Sequence, residues 1–134
     1  GSLTKGLNLE PGQTLLIRGG TSTVGLSAAT MAKEMGATVV STTRRPDRVE
    51  LLREFGVDHP IVDDGDIASQ VRDVFGAGVD AALELVGAKT LRDTLRATKV
   101  HGTVCFTGAL SDDWIIPDFN PLGFIPFGTR LTAY

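Results

Sequence analysis

The residues able to do chemistry gather in one short run, Gly19-Gly20-Thr21-Ser22-Thr23-Val24-Gly25, between an apolar stretch and a helical pattern. Three chemistries begin at such a strand, turn and helix. A triphosphate loop would use Gly20, Gly25 and the hydroxyl of Ser27, but Leu26 stands where a lysine must reach the β and γ phosphates. A hydrolase elbow would make Ser22 the nucleophile, with Asp80 and His101 following in Ser, Asp, His order, yet Val24 replaces the second elbow glycine. A dinucleotide loop needs a tight turn, amides free to approach a pyrophosphate, a helix amino end aimed at the charge, and a small residue where helix meets sheet. Gly19 and Gly20 supply the turn, Thr21, Ser22 and Thr23 supply hydroxyls and amides, and Gly25 with Ala28 and Ala29 lets the helix approach. The spacing departs from the strict G-x-G-x-x-G fingerprint, and a purely structural glycine turn is the bland alternative.

The next polar cluster favours the third reading. A site for NAD places Asp or Glu about 20 residues beyond the glycines, on the ribose hydroxyls, whereas a 2′-phosphate calls for arginine. The sequence there is STTRRPDR, with no acid before Asp47. Arg44, Arg45 and Arg48 can surround a phosphate, and Thr42 and Thr43 can donate hydrogen bonds, which favours NADP(H) over NAD(H).

These residues need a scaffold, and the chain is built for one. Its 134 residues suit a single domain, and 42% hydrophobic with 22% charged residues lies in the globular range. A net charge of -3 with dispersed acids argues against nucleic acid as a partner. No window approaches the roughly 18 to 20 apolar residues of a membrane span, which leads to the expectation of a soluble, cytoplasmic domain. One cysteine, Cys105, excludes an internal disulfide, and with two histidines, His59 and His101, no metal site is expected.

The pattern reads strand (TLLIRG), helix (Thr23 to Met35), strand (ATVVSTT), then a helix in RPDRVELLREFG with Pro46 at its start and Val49, Leu52 and Phe55 on one face. It continues with strand HPIV, the turn DDGD, and a helix carrying Ile67, Val71, Val74 and Phe75. VDAALELVG and TVCFTG follow as strands around a helix at Thr90 to Ala97. Strands alternating with helices imply right-handed crossovers, a mainly parallel α/β sheet, and ligands at the carboxyl ends of the strands.

The pieces PGQTLLIRGGTSTVGLSAATMAKEMGATVVSTTR, LLREFGVDHPIVDD, GVDAALELVG and GTVCFTG, in this order, resemble the cofactor domain of the medium-chain dehydrogenase/reductase superfamily, in its quinone oxidoreductase and zinc-type alcohol dehydrogenase-like branch. The resemblance covers nearly the whole chain. It implies a Rossmann fold: a doubly wound, mainly parallel six-stranded sheet with helices on both faces, binding NADPH for hydride transfer to a quinone, enone or related carbonyl acceptor. By position, Gly20 through Gly25 would line the pyrophosphate, and Thr43, Arg44 and Arg48 would meet the adenosine phosphate. Val86 and Gly87, with Thr107 and Gly108, would flank the adenosine ribose and the nicotinamide side. Ser22 and Thr23 stand where that branch often has glycines, and His101 replaces a common turn glycine.

The resemblance also implies that residues 1–134 are one NADP(H)-binding domain of a larger two-domain oxidoreductase. The catalytic domain would lie outside this chain, so no catalytic residue is named and little turnover is expected of the chain alone. Two rivals stand beside this reading: a nucleotide-sensing or interaction module without redox activity, and the small serine hydrolase. Trp114, Phe119, Phe124, Phe127 and Tyr134 crowd the carboxyl-terminal stretch, which suggests a contact surface or a cover for the core. In the resembling branch, the segment matching GFIPFGTRLTAY supplies the last strand and part of a subunit interface. A homodimer with Arg130 to Tyr134 at a sheet edge is expected.

Overall fold

A computed structural model describes residues 7–107 and 114–133. Along the chain run β1 (Thr14–Arg18), α1 (Thr23–Glu34), β2 (Thr38–Thr43), a 3-10 turn (Pro46–Arg48) leading into α2 (Val49–Glu54), β3 (His59–Val62) and α3 (Ala68–Phe75). They are followed by β4 (Val79–Glu84), α4 (Ala88–Arg96), β5 (Thr98–Phe106), α5 (Pro121–Phe124) and β6 (Arg130–Ala133). The strands form one sheet in the order β3-β2-β1-β4-β5-β6, every neighbouring pair parallel. The chain winds outward from β1 to one side, then returns to place β4 on the other. That reversal between β1 and β4 opens a crevice at the strands' carboxyl ends.

Two-residue periodicity divides the core between the two faces of the sheet. Leu15, Ile17, Val39, Ala81, Leu83 and Cys105 face one side, where they meet Ala28, Ala29 and Ala32 of α1 and Leu52 of α2. Leu16, Val40, Ala82 and Val104 face the other, against Ala68 and Val71 of α3 and Leu91 and Leu95 of α4. The result is the six-stranded, all-parallel Rossmann-like sheet with helices on both faces that the sequence pieces imply. A sheet covered on both faces needs near-continuous apolar strands; TVVSTT carries no charge, and the charges of TLLIR and VDAALE fall at Arg18 and Glu84, the carboxyl-terminal residues, and at Asp80 near the amino end of β4.

Several boundaries differ from the sequence reading. Phe55 does not share the buried face of Leu52; it lies just past the end of α2 and is 39% exposed. Val74 is likewise exposed, because the short α3 buries only Ala68 and Val71. Strand β5 begins at Thr98 rather than near Thr103, since Thr98 already pairs with Val79 before the register shifts and Thr103 takes up pairing with Ala81. The intervening bulge turns through His101, which adopts a left-handed φ of 70°. Its N–H donates to the Gly128 carbonyl at 2.9 Å, tying the bulge to the approach of β6.

Candidate functional site

The first loop is built by β2 as much as by its own glycines. The N–H of Gly20 donates to the Thr42 carbonyl at 2.7 Å, and the N–H of Gly19 donates to Thr42 Oγ1 at 3.0 Å. Gly20 has no Cβ because one would overlap the buried Ser41 hydroxyl on the neighbouring strand. Ser22 then caps α1, its Oγ accepting from the Gly25 N–H at 3.0 Å, so the helix begins with its free amides at the carboxyl edge of the sheet. At Gly25 a Cβ would stand 2.8 Å from the carbonyl oxygens of both Gly19 and Gly20. Only glycine lets the helix start directly on the turn.

Around this loop lies a cleft of about 960 Å³. Of the residues expected at a site, Gly19, Thr21, Ser22, Thr42, Thr43, Arg44, Arg45, Val86 and Gly87 line it. Gly20 and Gly25 do not; they support the loop from beneath. Thr23 and Val24 form the exposed start of α1, and Arg48 stands at the junction of the 3-10 turn and α2, so these three also fall outside the lining. Thr107 follows β5, bonding through its N–H to the Glu84 carbonyl at 3.3 Å, and it too is outside the cleft. Gly108 and Tyr134 lie outside the described residues.

Asp63, Asp64, Gly65, Lys89 and Thr90 complete the wall, and the sequence reading missed them. The signal was present: an Asp-Asp-Gly turn directly after β3, and a lysine in the first turn of the helix that follows β4, are both at carboxyl ends of strands. Arg44 and Lys89 are exposed cations on opposite sides of the cleft. Arg45 shares its charge with Asp47, Nη2 to Oδ2 at 3.2 Å, whereas Arg44 has no ion pair or hydrogen bond among the described residues.

Beneath the cleft is a second missed feature, a buried charge network. Arg18, the last residue of β1, is fully buried and meets both oxygens of Asp63, Nε to Oδ2 at 2.5 Å and Nη2 to Oδ1 at 2.9 Å. Its Nη1 reaches Asp93 Oδ2 at 2.8 Å and Thr94 Oγ1 at 3.2 Å. Burial works against the guanidinium's charge, but the bond to Asp63 and the charges of Asp63, Asp93 and Glu84 hold its pKa above the ordinary value. Burial likewise pushes the Asp63 carboxyl up, yet the bonds from Arg18 and the Gly65 N–H, with the charges of Arg18 and Arg44, bring it below the carboxylate norm. Asp63 therefore stays ionised but is matched from below. Its charge does not oppose an anion in the cleft as an unpaired aspartate would.

Glu84, at the end of β4, is buried, and that burial raises its carboxyl above the usual range against the pull of Thr94, the Val86 N–H, Thr90 and Arg18. Thr94 Oγ1 donates to Oε1 at 2.6 Å; the Val86 N–H and Thr90 Oγ1 each donate to Oε2 at 2.9 Å.

The hydrolase constellation is not assembled. Ser22 follows the carboxyl end of β1, while Asp80 sits at the amino end of β4, accepting from the N–H and hydroxyl of Thr14 and paired with Lys99. His101 belongs to the β5 bulge. Among the described residues no group of three or more His, Cys, Asp or Glu side chains could hold a metal ion, and no helix is long and apolar enough to cross a membrane.

The family model described as zinc-binding dehydrogenase matches residues 23–130. The chain belongs to this zinc-binding dehydrogenase family, within the medium-chain dehydrogenase/reductases. The phthioceranic/hydroxyphthioceranic acid synthase of Mycobacterium bovis is 33% identical over 129 residues, which span 94% of this chain and 6% of the synthase. A 2-haloacrylate reductase of Burkholderia is 30% identical over 105 residues, 77% of this chain and 32% of the reductase. A mycobacterial structure complexed with NADPH is 27% identical, with a TM-score of 0.87 over 98% of this chain and 41% of that one. The chain thus spans less than half the length of each of these proteins. The described residues do not fit the zinc of the family's name.

Proposed function

We propose that residues 1–134 form the NADP(H)-binding domain of a larger two-domain oxidoreductase that delivers hydride to a quinone, an enone or a related carbonyl-conjugated acceptor. The observation that carries the reading is the cleft's charge pattern: an exposed Arg44 after β2 with no ion pair or hydrogen bond among the described residues, no acid on the end of β2, and Lys89 opposite. The loop of Gly19 to Ser22 and the amino end of α1 receive the pyrophosphate, Thr42, Thr43 and Arg44 meet the adenosine side, and Val86 and Gly87 border the ribose. The nicotinamide supplies the hydride; the residues of this chain bind and orient it. The NADPH in the mycobacterial structure and the activated alkene in the name of the Burkholderia reductase both support this assignment.

Comparative binding of NADPH and NADH to the chain tests the choice of coenzyme. NADPH should bind at least about tenfold more tightly, and Arg44→Ala should remove most of that preference, as expected for a charge-assisted phosphate contact. Equal affinities in the unaltered chain would overturn the 2′-phosphate pocket. Acceptor reduction belongs to the complete enzyme, in which the catalytic domain closes over the nicotinamide; the isolated chain should bind coenzyme with little or no turnover.

A further inference from the structure

The buried network under the cleft goes beyond structural neutralisation. We infer that Arg18 is the positioning residue of the dinucleotide site, a single guanidinium that fixes three cleft-lining loops relative to one another; the inference rests on the coenzyme reading above.

The three loops leave different strands. The first begins one residue after Arg18, at Gly19. The second, after β3, is held through Asp63, whose Oδ1 accepts from both Arg18 Nη2 and the Gly65 N–H, each at 2.9 Å. The third, after β4, is reached in two steps: Arg18 Nη1 bonds Thr94 Oγ1, and Thr94 donates to Glu84, whose Oε2 takes the Val86 N–H at 2.9 Å and the Gly87 N–H at 3.4 Å. Asp93 adds a fourth tie, since Oδ2, bonded by Arg18, also accepts the Ile67 N–H at 2.9 Å where α3 begins. Asp63, Gly65, Val86 and Gly87 line the cleft, whereas Arg18 touches none of its volume.

Arginine is required by this geometry. Its planar fork reaches the Asp63 carboxylate in two places while a third nitrogen serves Asp93 and Thr94, and a lysine's single ammonium cannot span those directions together. Its position at the end of β1, in register with Glu84 on the adjacent β4, places it at the strand reversal where the crevice opens. A strand otherwise buried among apolar side chains carries a charged residue here because charge is what connects the loops.

The test uses the 134-residue chain with 2′,5′-ADP, which engages only the adenosine half of the site, and follows the Gly65 and Gly87 amide resonances of the ligand-free protein. Arg18→Lys, measured well below its melting temperature, should bind 2′,5′-ADP about tenfold more weakly and shift both amides, although neither is near residue 18 in sequence. A general loss of stability would leave affinity in the folded population unchanged. A folded Arg18→Lys that binds 2′,5′-ADP as tightly as the unaltered chain overturns the inference while leaving the coenzyme reading intact. Should that variant fail to fold, Thr94→Val removes one link only: a roughly threefold loss with Gly87 shifted and Gly65 unmoved supports the network, and unchanged affinity overturns it. An unaltered chain that binds neither 2′,5′-ADP nor NADPH overturns the coenzyme reading and the inference together.

Discussion

Gly25 shows how much one missing methyl group decides. A Cβ there would press on two backbone carbonyls that belong to the turn itself and have no rotamer to yield. Gly25→Ala should therefore destabilise the chain by about 1–3 kcal/mol, the usual range for forced overpacking, and should weaken NADPH binding more than Ala28→Gly does. Thermal melting and a fluorescence titration on the same samples would check both. Titration behaviour is a second consequence at this scale. Asp58, Asp63 and Asp80 are shifted below their ordinary value of 3.8. Burial opposes each shift, while the partners Lys33, Arg18 and Lys99 respectively, together with backbone donors, outweigh it. Their contribution is present above that value and is lost as pH falls through the folded values. Glu84 runs the other way, because its pKa is raised from 4.5: its contribution is full below that pH and fades as pH rises through the folded value. Melting temperature should fall steeply below about pH 4, and Glu84→Gln should flatten its slope on the side above Glu84's ordinary value of 4.5 without altering the acid limb. An unchanged slope in that variant would contradict the assignment.

Elements were readable to different degrees, for reasons visible in their residues. The strand, turn and helix from Thr14 to Glu34 were legible because apolar run, glycines and small helix residues agree with one another. Arg44 and Thr43 were legible because β2 stops with no acid beside them. Arg18 escaped notice because a lone cation in an apolar strand looks like a boundary marker; its three partners come from the turn after β3 and from α4, far along the chain. Lys89 and Asp63 were missed for a related cause, since only the parallel pairing of β2 with β3 and β1 with β4 brings their loops to one crevice. The start of β5 was misplaced because the turn position at His101 reads as a strand boundary, whereas the strand passes through it by a shift of register. That residue pays for its left-handed φ, so His101→Gly should stabilise the chain by up to about 1 kcal/mol, measured by urea unfolding. A loss of stability instead would mean that the imidazole contributes more than the backbone strain costs.

At the scale of the molecule, β6 stands at one edge of the sheet with its outer side unpaired among the described residues. Leu122 and Phe127, in the segment leading to it, are 78% and 80% exposed. An open edge beside apolar surface supports the proposal of a homodimer through this segment. Sedimentation should give a dimer at high micromolar concentration, and Phe127→Lys, at a side chain 80% exposed, should shift it toward monomer; a monomer in the unaltered chain counts against the interface.

The strand order also bears on how the chain acquires its form. β1 is flanked by β2, which follows it closely, and by β4, whose partner residues lie some 66 positions downstream, as Leu15 opposite Ala81 shows. During synthesis, β1 to β3 with their helices emerge first, bearing a raw inner margin that nothing yet occupies. Closing that gap demands a long-range encounter, which makes the central seam the slow step of self-assembly and a half-made chain the species most prone to stick to its neighbours.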